Sequence, residues 1–127
     1  MKKLNLPHHI HKYDFYDKNG IRMYFKFDDP SPNGQLDIYL FANNYTAKSL
    51  YHFKCLISTP TSITSSLHRP TTTTLLANNA NTLSQLIKIN NPQKINIKLR
   101  LKISYEIDGI KREEIFSVFD FPEFNYS

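Results

Sequence analysis

Residues Ile95–Tyr105 alternate without a slip. Ile95, Ile97, Leu99, Leu101, Ile103 and Tyr105 take one set of positions; Asn96, Lys98, Arg100, Lys102 and Ser104 take the other. Successive side chains of a strand point to opposite faces, so this pattern predicts a half-buried β-strand with a basic outer row. Ile21–Phe27 alternates in the same way, with Ile21, Met23, Phe25 and Phe27 inward. So does Leu36–Ala42, with Leu36, Ile38, Leu40 and Ala42 inward. In Leu50–Ile57 the inward set is Phe53, Cys55 and Ile57, which leaves His52, Lys54 and Leu56 outward. Leu83–Ile89 is a further strand and Ser62–Leu67 a weaker one. Lys111–Phe119 returns after Asp108-Gly109, a pair that supplies the positive φ of a tight hairpin, although its own facing is ambiguous.

Between these segments lie breakers. Asp28–Gly34 (Asp-Asp-Pro-Ser-Pro-Asn-Gly), Asn91-Pro92 and Phe121-Pro122 read as turns. Pro70–Asn81, with its threonine run and three asparagines, reads as a long, mobile, low-complexity loop. Residues 1–12 read as a flexible leader and residues 13–127 as one domain. No stretch of useful length carries helical periodicity, and no internal repeat is visible. Seven or so short, evenly spaced strands predict an all-β antiparallel sandwich.

Composition narrows the chemistry. A net charge of +5 suits acidic peptides, anionic lipid or nucleic acid without choosing among them. Three glycines leave no phosphate-cradling loop. The single cysteine, Cys55, excludes an internal disulfide and falls inward, so it reads as a buried, inert thiol in a reducing, cytoplasmic setting. The start, with no apolar run behind its basic residues, predicts neither a signal peptide nor a membrane span. No catalytic constellation is present, and Glu113 and Glu114 diverge if they lie on a strand. The expectation is a non-enzymatic module with no metal or other cofactor. His8, His9 and His11 cluster in the leader without the cysteines or acids that would complete a tetrahedral site.

Two features stand out as binding candidates. Lys98, Arg100 and Lys102 would lie about 6.6 Å apart on one face. By charge alone such a row is an ordinary solvated face, and basic rows also deter edge pairing. Leu56 is an outward apolar residue beside cations, which suits an anchor for a peptide side chain, although single exposed leucines are common. Tyr39 and Phe41 also point outward, as base-stacking aromatics do, but the cations are not interleaved with them in sequence.

Four segments in order resemble one family. Phe15–Phe27 holds a Tyr-x-Lys-Asn-Gly-hydrophobic opening, and Leu83–Lys94 holds a Gln-containing strand that ends in Asn-Pro. Ile97–Tyr105 (Ile-Lys-Leu-Arg-Leu-Lys-Ile-Ser-Tyr) is similar to that family's Leu-Arg-Met-Arg-Ile-Lys-Leu-x-Tyr strand, and Phe119–Pro122 to its closing Asn-Phe-Pro. The family is the gamma-adaptin ear domain, found in gamma-adaptin of the clathrin adaptor and in the Golgi-localised GGA proteins. The resemblance covers about residues 13–124. It implies an immunoglobulin-like sandwich of about eight strands that acts as a monomeric interaction domain. The implied role is to recruit accessory proteins, rabaptin-, synergin- or epsin-like, to coats at the trans-Golgi network and endosomes. The ligands implied are short peptides with an acidic residue, an aromatic, a glycine and then a hydrophobic residue. The alternative is a basic sandwich docking on anionic membrane or nucleic acid.

Carried over residue by residue, the implied peptide site comprises Lys98 and Arg100, at the family's two arginines, and the segment Cys55-Leu56-Ile57-Ser58-Thr59, at its Ala-Ala-Val-Pro-Lys, with Lys54 added as the outward cation on the strand along which the peptide would extend. That segment departs from the pattern. Thr59 replaces a lysine, Ser58 a proline, and Cys55 and Leu56 a pair of alanines, so one cation is lost and one pocket wall grows.

Overall fold

The structure is a computed structural model. It describes residues 11–119 together with Phe121, Pro122, Phe124 and Tyr126. Eight strands follow one another among the described residues. They are β1 (His11–Lys18), β2 (Ile21–Phe27), β3 (Gln35–Asn44), β4 (Tyr51–Ser58), β5 (Thr64–Leu67), β6 (Thr82–Asn90), β7 (Leu99–Ile107) and β8 (Ile110–Val118). A five-stranded sheet in the order β1-β2-β3-β6-β5 faces a three-stranded sheet in the order β4-β7-β8. All pairings are antiparallel. This is the all-β sandwich that the alternating segments predict.

The core lies where the inward rows meet. Met23, Phe25, Ile38, Leu40 and Ile87 of the larger sheet, and Phe53, Leu99, Leu101 and Ile103 of the smaller, are all but inaccessible. Each such side chain stabilises the fold by about 1.5–3 kcal/mol relative to exposure. Asp108 and Gly109 both have positive φ, as a two-residue β7–β8 hairpin requires.

Three segments differ from the sequence-based expectation. β1 begins at His11, two residues before the expected domain start, and pairs with β2 through an Asn19-Gly20 turn with positive φ at both positions. A bulge between Asp14 and Tyr16 breaks its alternation, so Tyr13, Phe15 and Tyr16 all turn toward the core and no period of two is visible. Residues 1–10 of the expected leader, with His8 and His9, lie outside the described residues.

Ile95 is exposed rather than inward, because the strand starts only at Leu99 and alternating burial only at Ile97. The preceding Asn91 is fully buried and spends its side chain on this approach. Its amide donates to the Ile95 carbonyl at 2.8 Å, and its oxygen accepts from the Ile95 N–H at 3.2 Å.

Pro70–Asn81 is held in place rather than loose. Leu75 is completely buried and pairs with Leu50 in both directions, at 2.8 and 2.9 Å, and the Phe53 N–H donates to the Thr73 carbonyl at 2.8 Å. A single 3-10 turn, Ala77–Asn79, closes the segment. Low complexity hid one apolar anchor in a polar run.

The sandwich has two unlike seams. On the β1/β8 side Phe15 stacks on Phe25 at 4.2 Å and meets Phe116 at 6.1 Å. There the Tyr16 hydroxyl donates to Glu114 at 2.7 Å and the Lys18 ammonium reaches the same carboxylate at 3.0 Å. On the other side β4 and β5 are both edge strands, each hydrogen-bonded in its sheet to one neighbour only. That seam stays open below the Thr73–Leu75 clamp.

Candidate functional site

The open seam gathers most of the sequence-predicted residues. β4 runs beside β7 in a register that sets Ser58 opposite Arg100, Leu56 opposite Lys102 and Lys54 opposite Ser104. Side chains directly opposite across two strands share a face, so Lys54, Leu56, Arg100 and Lys102 project from the outer surface of the smaller sheet. β8 continues the row, with Ile115 opposite Lys102 and Ser117 opposite Arg100. Leu56 and Ile115 are 56% and 54% exposed and flank Lys102. Two apolar side chains open to solvent in one cross-strand row form a patch rather than a scattered pair.

The structure separates the cations. Lys102 is engaged by Glu113 at 3.6 Å, and Lys111 shares that carboxylate at 3.3 Å. The two lysines hold the Glu113 carboxyl below the usual range, its hydrogen bond from Lys111 contributing most. Lys54, Lys98 and Arg100 have no ion-pair partner among the described residues. Neighbouring Glu114 points the other way, to Tyr16, so the two glutamates diverge as a strand demands.

Beside the outer face a cleft of about 400 Å³ opens between β4 and β5. Phe53, Cys55 and Leu83 form its floor, Leu67 and Pro70 its far wall, and Leu56 its near lip. Burial in this apolar setting pushes the Cys55 thiol up to about 12, so it is an inert part of the wall and not a nucleophile. The edge beside the cleft is available for pairing. The Phe53 N–H points outward to Thr73, and residues two apart in a strand point the same way, so Cys55 and Ile57 present their backbone groups to the open side.

Not every sequence-predicted residue converges. Cys55 and Leu56 line the cleft, Lys54 stands on its rim, and Lys98 and Arg100 lie outside it on the outer face. Ile57 is half-buried against the core. The Thr59 hydroxyl donates to the Ile63 carbonyl at 2.7 Å and so closes the β4–β5 turn. Periodicity does not point to Leu67, Arg69 and Pro70, since they follow a weak strand and precede a polar run. Only the packing of β5 against the β4 edge brings them to the cleft.

Tyr39 and Phe41 do project outward on the larger sheet, and there the fold interleaves what the sequence does not. Phe41 stacks on Tyr24 at 5.0 Å, and the Lys26 ammonium sits 5.5 Å from the Phe41 ring. No group of three or more His, Cys, Asp or Glu suited to a metal occurs among the described residues.

Residues 12–122 match the sequence model of the adaptin C-terminal domain family. The chain belongs to that family. Among curated proteins it is similar to AP-1 complex subunit gamma-like 2 of Homo sapiens, with 29% identity over 108 residues. It is also similar to the Mus musculus protein of that name, with 25% identity over 108 residues. In each case the match covers 84% of this chain but 14% of the relative, so the chain spans about a seventh of their length. Among solved structures, the GAE domain of yeast GGA1 superposes with a TM-score of 0.76 at 20% identity, covering 84% of this chain and 96% of that one. The GAE domain of GGA2p from Saccharomyces cerevisiae gives 0.77 at 19%, covering 88% and 97%. The gamma-adaptin ear resemblance seen in the motifs is borne out, and so is the sandwich it implies. Adaptin ear domains are appendages of clathrin adaptors that bind accessory proteins.

Proposed function

We propose that this adaptin ear domain binds short acidic-aromatic peptide motifs of accessory proteins through the open β4 seam. The observation that carries the reading is the conjunction there of an apolar cleft with a strand edge unpaired, and cations without acid partners, among the described residues. A peptide extended along β4 would gain backbone hydrogen bonds from the Cys55 and Ile57 edge, while alternate side chains enter the cleft or cross the outer face. Its aromatic residue fits the floor of Phe53, Cys55 and Leu83, and its acid meets Lys98 and Arg100. Each exposed ion pair contributes about 0.2–1 kcal/mol, and the buried ring about 1.5–3 kcal/mol. After ordering costs, a dissociation constant in the micromolar range, about −8 kcal/mol, follows. Weak single contacts suit a coat in which many ears act together. The setting we propose is the cytoplasmic face of the trans-Golgi network and endosomes, in clathrin-dependent protein transport, with no catalytic role.

Titration with an Asp-Phe-Gly-Pro-Leu peptide, followed by amide chemical shifts, tests the reading. Shifts concentrated in residues 54–59, 67–70 and 98–102 support it, and no shifts at millimolar peptide overturn it. The Tyr24–Phe41 stack with Lys26 beside it favours a second reading, docking on anionic membrane or RNA. In that case acidic vesicles or mixed-sequence RNA would outcompete the peptide, with a steep loss on adding salt.

A further inference from the structure

We infer that the seam takes a peptide with acidic residues on both sides of its apolar segment, the second acid being held at the Lys54 end of β4. This rests on the peptide-binding reading above. Lys54 is exposed, has no acid partner among the described residues, and lines two adjoining depressions. One is the cleft itself, where Arg69 and His68 stand on the opposite rim. The other, of about 260 Å³, lies toward the β7–β8 hairpin and is lined by His52, Lys111 and Glu106. Arg69 also has no ion pair among the described residues. The two depressions therefore carry Lys54 and Arg69 without acid partners among the described residues, while Lys111 is paired with Glu113 and Glu106 is the one carboxylate in their lining. The strand itself is modified here. A register shift falls between Tyr51 and Lys54, and His52 adopts φ 55°, the kind of bulge that re-aims side chains.

Register supplies the spacing and the direction. Arg100 lies opposite Ser58, and Ser104 lies opposite Lys54. Four residues along β4 separate those rows, about 13 Å. A peptide whose first acid meets Lys98 and Arg100 starts at the Ser58 end and runs antiparallel to β4. Five residues, acid through final hydrophobic, cover that distance and reach Phe53, where Thr73 already takes the strand's N–H, so the residues that follow leave the edge between Lys54 and Arg69. Thr59, with its hydroxyl spent on Ile63, adds no cation at the first end, which leaves the Lys54 end as the other concentration of positive charge on the seam.

Calorimetry at low ionic strength with two peptides, Asp-Phe-Gly-Pro-Leu-Ser-Ser and Asp-Phe-Gly-Pro-Leu-Glu-Glu, reads this directly. The acidic tail is expected to tighten binding to the unaltered protein about threefold to tenfold. In a Lys54→Ala/Arg69→Ala protein that ratio falls to about one. In a Lys98→Ala/Arg100→Ala protein both peptides weaken but the ratio persists. No gain from the tail, or a gain that survives Lys54→Ala/Arg69→Ala, overturns the inference and leaves the peptide site standing. If neither peptide binds the unaltered protein, the parent reading fails and takes this one with it.

Discussion

Leu56 shows how one side chain can be read correctly for facing and only later for purpose. Alternation puts it outward, and the structure finds it 56% exposed on the lip of the cleft. Because more than half of it is open to solvent, its replacement should affect binding more than folding. Leu56→Asp is expected to weaken the Asp-Phe-Gly-Pro-Leu peptide by at least about tenfold while moving the thermal midpoint by no more than about 4 °C, since exposed substitutions usually stay within about ±0.5 kcal/mol. Calorimetry and a melting curve on the same sample check both halves. Thr59 makes the opposite point. It occupies a ligand position by resemblance, yet its hydroxyl belongs to a turn, and nothing in its neighbours along the chain announces the Ile63 carbonyl as its partner.

At the scale of elements, β4 is an edge strand, and its two halves have different fates. The first half is covered by Thr73–Leu75, and the second is unpaired on its outer side among the described residues. If a peptide completes that second half, only alternate peptide amides face β4. N-methylation of successive amides in the peptide should then give an alternating profile, with losses of about tenfold at the facing amides and little change between them. A flat profile would mean that side chains alone hold the peptide. The clamp has its own test. Leu75 is fully buried, so Leu75→Ala should cost about 2–5 kcal/mol in urea unfolding. A cost below about 0.5 kcal/mol is what a mobile surface loop would show. β1 illustrates a signal present but unused: Asn19-Gly20 is a strong hairpin cue, and the bulge at Asp14–Tyr16 conceals the strand before it.

At the scale of the molecule, groups at both seams and on the outer face tie stability to pH. Burial, together with the hydrogen bond to Glu114, raises the Tyr16 phenol above its ordinary 10.0, and burial alone raises Cys55 from 9.0 to about 12. A group whose pKa is raised on folding stabilises fully below its unfolded value and loses that contribution as pH climbs through the folded one. Stability should therefore fall from about pH 9 upward, and Tyr16→Phe with Cys55→Ala should flatten the alkaline limb. Glu114 is held low by its bonds from Tyr16 and Lys18 and Glu113 by Lys111 and Lys102, so their contributions are present above the ordinary carboxylate range and fade as pH drops below it. Melting curves from acid to alkali should show a plateau between these limbs, and a midpoint still rising above pH 9 would contradict the assignment.

Alternation determined most of the strands, their inward rows and the outward facing of Lys54, Leu56, Lys98 and Arg100, because a period of two depends only on backbone geometry and on which side chains avoid water. Four motifs in order determined the family, because they carry turn and strand chemistry shared with it. Tertiary structure alone decided that β4 is an edge and that Leu67, Arg69 and Pro70 face it. It also decided that Glu113 occupies Lys102 while Lys98 and Arg100 stay without acid partners among the described residues. Those are contacts between residues distant along the chain, set by which sheet each strand joins. No local periodicity encodes that choice.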